Sequence, residues 1–151
     1  MHLSLTMDTD ILLLSTGVAA GQTTQTPTGI ETKDGQSATI IAHIGTIAST
    51  GVCTVVPQYS IDGGSNYTDV TADTITYADT DDNKLAIVEF TVIPRTVTHV
   101  RLKITRATAD VTIVNVIGVR RKGRGAYPVG ATGAKSANST VKDIKRVTLN
   151  P

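Results

Sequence analysis

Apolar and polar residues alternate with a period of two along most of this chain, which is the pattern of half-buried β-strands. The clearest example is the stretch 52–70, VCTVVPQYSIDGGSNYTDV, in which two alternating segments flank Asp62-Gly63-Gly64. Because these residues tolerate the backbone angles of a tight reversal, the stretch predicts a β-hairpin. The first strand places Gln58 and Ser60 on its polar face. Pro57 lacks an N–H donor, so we expect that strand to lie at a sheet edge or to carry a bulge.

The same pattern predicts about eight strands. Besides the two of the hairpin, they are expected near residues 10–18, 36–48, 71–77, 85–93, 99–105 and 111–119. The segment 99–105, HVRLKIT, alternates most regularly, and Val100, Leu102 and Ile104 are predicted to face the core. The segment 111–119, VTIVNVIGV, is apolar on both faces. It therefore indicates a central strand, or a strand whose outer face is covered by a partner.

Short strands separated by turn residues favour an all-β fold, either an antiparallel β-sandwich or a jelly-roll-like barrel. Threonine is the commonest residue, whereas only 3% of residues are aromatic and tryptophan is absent, so the core must be aliphatic. We expect three regions. They are an N-terminal arm with one strand (1–35), a sandwich body (36–121) and a basic, extended C-terminal arm (122–151).

The apolar run at residues 11–20, ILLLSTGVAA, resembles the hydrophobic part of a secretion signal. However, Asp8 and Asp10 precede it, and no Lys or Arg does. The run is also too short to cross a bilayer. We therefore interpret it as a strand, and expect a soluble protein that does not bind membranes.

No motif in the sequence indicates catalysis, a cofactor or a metal. Cys53 is the single cysteine, and on a valine-rich strand it is expected to be a small buried apolar residue. The three histidines are far apart in sequence and have no metal-ligand spacing: His2, His43 and His99. We therefore expect a protein that is not an enzyme.

One acidic stretch has part of a calcium-loop pattern. Asp79, Asp81 and Asn83 have the spacing of the first three ligands. The loop then requires glycine and a bidentate glutamate, at positions where this chain has Lys84 and Phe90. The stretch is therefore interpreted as a solvated acidic turn.

The charges are divided unevenly along the chain. Residues 120–151 hold eight of the 14 Lys and Arg residues but one of the 13 acids, so they carry +7 while the preceding 119 residues carry −6. Such asymmetry concerns partners rather than fold. The candidate partner-binding residues are Arg120, Arg121, Lys122, Arg124, Tyr127, Lys142, Lys145 and Arg146.

Three interpretations of this basic segment remain open. It is a solvated extension, or an arm that docks on an acidic neighbour, or a nucleic-acid binder. The last is disfavoured because Tyr127 is its only aromatic residue, which leaves little for bases to stack on. Four apolar residues near its end are expected to pack on a partner as a short strand or a turn of helix: Val141, Ile144, Val147 and Leu149.

The succession QSATIIAHIGT, TVVPQYSIDGGSNYTDV, NKLAIVEFTV, HVRLKIT and IVNVIGVRRKGRGAYPV resembles a type of small virion protein of tailed bacteriophages. The resemblance covers about residues 36–129 and consists of strands and turns, not of a catalytic signature. It implies a structural protein of the virus particle, namely a cement or decoration protein on the capsid exterior. Proteins of that kind are often trimeric β-sandwiches that bind the major capsid protein, and they reside in the host cytoplasm during assembly.

The sequence thus leads to one hypothesis with two alternatives. The first is a non-enzymatic protein that binds the capsid exterior and cements neighbouring capsomers. The second is a head–tail connector or fibre-base protein with the same fold. The third is a carbohydrate-binding surface module, which the scarcity of aromatic residues disfavours.

Overall fold

The computed structural model describes residues 9–32, 37–93, 95–121 and 141–149. Within these ranges the chain forms strands and two single-turn 3₁₀ helices, Thr71–Asp73 and Asp79–Asp81. The strands are β1 (Thr9–Ser15), β2 (Val18–Gly21), β3 (Ile30–Glu31), β4 (Ala38–Ile47), β5 (Val52–Ser60), β6 (Thr68–Asp69), β7 (Ile75–Tyr77), β8 (Lys84–Val92), β9 (His99–Ala107), β10 (Val111–Arg121) and β11 (Val141–Thr148). No helix in the described ranges is long and apolar enough to cross a membrane.

The strands form two sheets that share one core. The six-stranded sheet has the order β1-β10-β4-β8-β11, with β2 also paired to β10. The five-stranded sheet has the order β3-β9-β5-β6, with β7 also paired to β5. The predicted all-β sandwich is confirmed. One pair departs from the predicted antiparallel arrangement, because β11 runs parallel to β8.

The core lies between the inner faces of the two sheets and is almost entirely aliphatic. Val100, Leu102 and Ile104 of β9 are buried, as their alternation predicts. The inner faces of β4 and β8 are buried in the same way. Tyr77 and Phe90 are the only aromatic side chains among the buried residues of the described chain. Strand β10 lies between β4 and the pair β1 and β2, so its predicted central position is confirmed.

The predicted hairpin at 52–70 is confirmed, although its second strand is short. Strand β6 pairs with β5 at two positions only, and the main partner of β5 is β9. The expected division into a buried apolar face and an exposed polar face is wrong, because Gln58 and Ser60 are buried whereas Ile61, just after the strand, is 60% exposed. Hydrogen bonds satisfy both polar groups: Gln58 Nε2 donates to Asp69 Oδ1 at 2.5 Å, and Ser60 Oγ donates to Asp62 Oδ1 at 2.6 Å.

The position of Pro57 shows how the strand accommodates a residue without an N–H. Its carbonyl accepts a hydrogen bond from the N–H of Val70 at 2.8 Å, so its nitrogen also faces the β6 side of the strand. On that side β7 pairs with Val55 and β6 with Gln58, and Pro57 falls in the gap between them. The missing donor therefore costs no ladder hydrogen bond. Both expected alternatives, an edge strand or a bulge, are wrong, because β5 lies between β9 and β6 and its pairing with β9 has no register shift.

The N-terminal segment contributes more than the one predicted strand. Strands β1 and β2 extend the six-stranded sheet beside β10, and β3 adds to β9 in the other sheet. Leu14 and Ile30 are buried in the common core. Residues 9–31 therefore belong to the sandwich rather than to a separate arm.

The C-terminal segment also differs from an extended arm where the structure describes it. Residues 141–148 form β11 at the edge of the six-stranded sheet, and Val147 and Leu149 are buried in the core. The predicted short strand is found here, packed against β8 of the same chain.

Candidate interaction surface

Three of the eight predicted partner-binding residues, Lys122, Arg124 and Tyr127, lie outside the described residues. The other five occupy two strands that β4 and β8 separate. Two are at the end of β10, and three are on β11: Arg120, Arg121, Lys142, Lys145 and Arg146. The structure therefore does not bring these five into one basic cluster.

Arg120 joins the two sheets. Its Nη2 and Nε donate to Asp10 Oδ2 at 2.6 and 3.1 Å, and its Nη1 donates to the carbonyl of Glu31 at 3.0 Å. Asp10 belongs to β1 in the six-stranded sheet, whereas Glu31 belongs to β3 in the other. Arg121 is exposed at the end of β10, and its N–H donates to the carbonyl of Ser37.

Lys142 fastens the start of β11 to the body. Its Nζ lies 2.5 Å from Asp81 Oδ2, and Lys84 Nζ lies 2.7 Å from Asp81 Oδ1. The N–H of Ala78 also donates to Asp81. Burial of Asp81 would raise the pKa of its carboxyl, but the hydrogen bonds from Lys142, Lys84 and Ala78 outweigh burial and lower that pKa to about 2.

The remaining charges of β11 are also compensated within the chain. Arg146 Nε lies 3.1 Å from Glu89 Oε2 of β8, and Lys145 Nζ lies 3.7 Å from Asp143. Each basic side chain of β11 thus has an acidic neighbour. The described part of the C-terminal segment therefore offers less unbalanced positive charge than the sequence indicates.

The acidic stretch 79–83 is only in part the predicted solvated turn, because Asp82 and Asn83 are exposed whereas Asp81 is buried. Asp81 is 5% exposed, and its carboxylate is occupied by the two lysines. Asp79 Oδ2 accepts from the N–H of Thr50, and Asp82 Oδ1 accepts from the N–H of Ile47. The stretch therefore ties the β4–β5 connection and β11 to the body. No group of three or more His, Cys, Asp or Glu side chains in the described ranges can hold a metal ion.

An apolar row crosses the outer face of the six-stranded sheet. The register places one residue from each of five neighbouring strands side by side, and we call this set the apolar row: Leu13, Ile117, Ile41, Ile87 and Ile144. Ile11 and Val119 continue it toward one end of the sheet. The middle members are half-buried by their neighbours.

The two ends of the apolar row are the most exposed. Leu13 is 65% exposed, Ile11 59% and Ile144 38%. Exposed apolar side chains that continue one another across a sheet mark surfaces that bind other macromolecules. The apolar outer face of β10 is apparent in the sequence, which indicates that a partner could cover it, but the row is not apparent there. The row depends on the register of five strands, which alternation within each strand does not determine.

Arg106 is another feature that was not predicted from the sequence. It is 3% exposed and lies on the inner side of β9. Its Nε donates to Thr23 O, its Nη1 to Ala19 O and Val111 O, and its Nη2 to Thr23 Oγ1, at distances of 2.7 to 2.9 Å. Arg106 of β9 therefore holds the β2 region and the start of β10, in one sheet, against the other sheet. A signal for it was present, since the alternation that buries Ile104 buries the residue two positions later.

The Gly-rich turn of the hairpin is held by its own side chains. Asp62 accepts from Asn66 N and Nδ2, and Ser60 Oγ accepts from the N–H of Gly64. The hydrogen bond from the Asn66 backbone is the main reason that the pKa of Asp62 is lowered. Gly63 and Gly64 have φ of 75° and 84°, which explains the two glycines.

The aromatic side chains within the described ranges do not form a stacking platform. Tyr77 and Phe90 are buried. The Tyr67 ring is covered by Arg101, whose guanidinium carbon lies 3.5 Å from the ring centroid. Tyr59 is half-buried against the core.

Comparison of the chain with protein-family models, with curated proteins and with solved structures finds no match. The class that the structure defines is an all-β protein of two packed sheets.

Proposed function

We propose that this protein is a non-enzymatic structural protein of a virus particle, which binds the capsid exterior and cements neighbouring capsomers. The observation that carries the proposal is the apolar row on the outer face of the six-stranded sheet. A cement protein works through contact area, and each Å² of apolar surface removed from water contributes roughly 25 cal/mol. The partner is the major capsid protein, and the resemblance of residues 36–129 to phage virion proteins favours that partner.

The structure changes which residues would make the contact. Lys142 and Arg146 are engaged with Asp81 and Glu89, so the apolar row rather than the charge of β11 is the proposed shell-binding surface. Charged side chains around the apolar row then affect the rate of association with the capsid more than the affinity.

The first test is the copy number of the protein in purified particles, measured by quantitative mass spectrometry against the major shell protein. Near-stoichiometric abundance supports a cement protein. A few copies per particle support the head–tail connector or fibre-base alternative. Absence from particles overturns both.

The second test changes the surface and leaves the fold intact. Leu13→Asp places a charge at the exposed end of the apolar row, and Ile61→Asp makes the same kind of change at a 60% exposed residue in the hairpin turn. We expect Leu13→Asp to lower incorporation into particles at least tenfold and Ile61→Asp to leave it unchanged. Equal incorporation of both variants contradicts the role of the row. Circular dichroism checks that both variants are folded.

A carbohydrate-binding module is less well supported. Such modules stack sugar rings on exposed aromatic side chains. The four aromatic side chains in the described ranges are buried, half-buried against the core or covered by Arg101. A glycan array without hits removes this alternative.

A further inference from the structure

The strand β11 has features of a docked segment rather than of an integral strand. It is the only parallel strand of the described sheets, and it lies at the edge of its sheet beside β8. Its main contacts are with β8, β7 and the 3₁₀ turn Thr71–Asp73, all within residues 71–92. Its anchors are two buried side chains and two ion pairs, the arrangement of a strand added to a sheet edge.

The direction of β11 constrains how it is reached. Strands β10 and β8 are both antiparallel to β4, so β10 and β11 run in the same direction. A connection between parallel strands of one sheet has to cross a face of that sheet. The inner face of this sheet is filled by the core, and the outer face carries the apolar row.

The chain between the end of β10 and the start of β11 is long enough to reach a neighbouring copy. The start of β11 is level with Asn115, six residues before the end of β10, and lies three strand positions away. These offsets correspond to a separation of about 25 Å. The 19 residues 122–140 reach up to about 60 Å. Connections longer than about 12–15 residues are uncommon in compact domains, and most of them have a function or link separate units.

We propose that β11 binds the β8 edge of a neighbouring copy of this chain, so that the copies close into a ring by strand exchange. The acceptor edge consists of residues 71–92 and is the same whichever copy supplies the strand. A head-to-tail exchange forms a ring, such as a trimer, when the rotation between neighbouring copies closes, and an open filament when it does not. Strand exchange also leaves the outer face of the six-stranded sheet free to bind the capsid. This part of the inference rests on the proposed function.

Register makes a cross-linking test possible. Arg146 lies opposite Glu89, and both side chains are accessible, at 39% and 24% exposure. Thr39 lies opposite Glu89 on the other side of β8, and it serves as the control within one body. The natural Cys53 is fully buried and burial raises the pKa of its thiol to about 12, so it does not react with maleimides near neutral pH.

The experiment mixes two single variants of the full chain. Glu89→Cys and Arg146→Cys proteins are refolded together and treated with a short bis-maleimide. Glu89→Cys and Thr39→Cys proteins are treated in the same way. We expect a covalent dimer from the first mixture at least ten times more abundant than from the second. The Glu89→Cys/Arg146→Cys double variant should give cross-linked species up to the size of the ring.

Two results together overturn the proposal. In the first, the double variant is cross-linked only within single chains. In the second, the two mixtures give equal yields of covalent dimer. Native mass spectrometry of the unmodified protein provides a second measurement, and a monomeric mass at micromolar concentration also overturns it. Because these experiments need no particles, they can fail while incorporation into particles succeeds, or the reverse.

Discussion

Arg106 provides the strongest test of how this sandwich is held together. The change Arg106→Met keeps most of the apolar stem but removes a guanidinium that makes four hydrogen bonds. The net contribution of one hydrogen bond is about 1 kcal/mol, and it is larger when the donor is charged or when an acceptor is left buried without a partner. We therefore expect the free energy of unfolding to fall by about 3–5 kcal/mol, a large part of the 5–15 kcal/mol that stabilises an ordinary domain.

The measurement is urea unfolding followed by circular dichroism. Arg95→Met is the matched control, because Arg95 is exposed and its replacement should change the free energy of unfolding by less than about 0.5 kcal/mol. The free energy of unfolding of Arg106→Lys should lie between those of the two Met variants, since an ammonium group keeps the charge but cannot reproduce the planar set of donors. Hydrogen exchange should show the β2 amides losing protection first. If Arg106→Met is as stable as Arg95→Met, the assigned role of Arg106 is wrong.

Three further predictions concern single buried groups. Asp81 has a pKa lowered from 3.8 to about 2, so its ionised form stabilises the folded state above pH 4, and this contribution is lost as the pH falls from about 4 to 2; Asp81→Asn should flatten the pH dependence of the melting temperature in that interval. Gly118→Ala should destabilise the fold by about 1–3 kcal/mol in urea unfolding, because the added carbon would lie 2.6 Å from Ile30 Cδ1 in the core. Tyr77→Phe should leave the free energy of unfolding unchanged or raise it by up to about 1 kcal/mol in thermal unfolding. The reason is that the buried Tyr77 hydroxyl has no hydrogen-bond partner in the described structure. A loss of more than about 1 kcal/mol would show that the hydroxyl does have a partner.

The regular strands were predictable because local alternation and tertiary burial agree in them. In β4, β8 and β9 every second residue is apolar, and these residues do face the core. The eight predicted strands all have counterparts, β11 is the short strand expected as one of two alternatives near the C-terminus, and β2 and β3 are additional. Strand β3 has two residues, too few to form a period, and β2 consists mainly of small residues.

Strand β11 was not predictable as part of the sheet for a different reason. The apolar residues Val141, Ile144 and Val147 recur at every third position of the sequence, so Ile144 is exposed whereas Val147 is buried. That spacing resembles a helix turn as much as a strand. The ion pairs were equally hidden, because the partner of Lys142 is Asp81, 61 residues earlier in the chain. Charge counts along the sequence cannot reveal such compensation.

The pairing of β1 with β10 has a consequence for how the protein is made. Asp10 and Arg120, which meet in this pair, are 110 residues apart, so β1 is synthesised long before β10, its neighbour in the sheet. Contacts over such distances form slowly. Until then the segment ILLL is an unpaired, strongly apolar strand on the nascent chain, the kind of segment that aggregates. The yield of soluble protein should therefore depend on what shields these four residues during translation, and chaperone supply at low temperature is the condition to vary first.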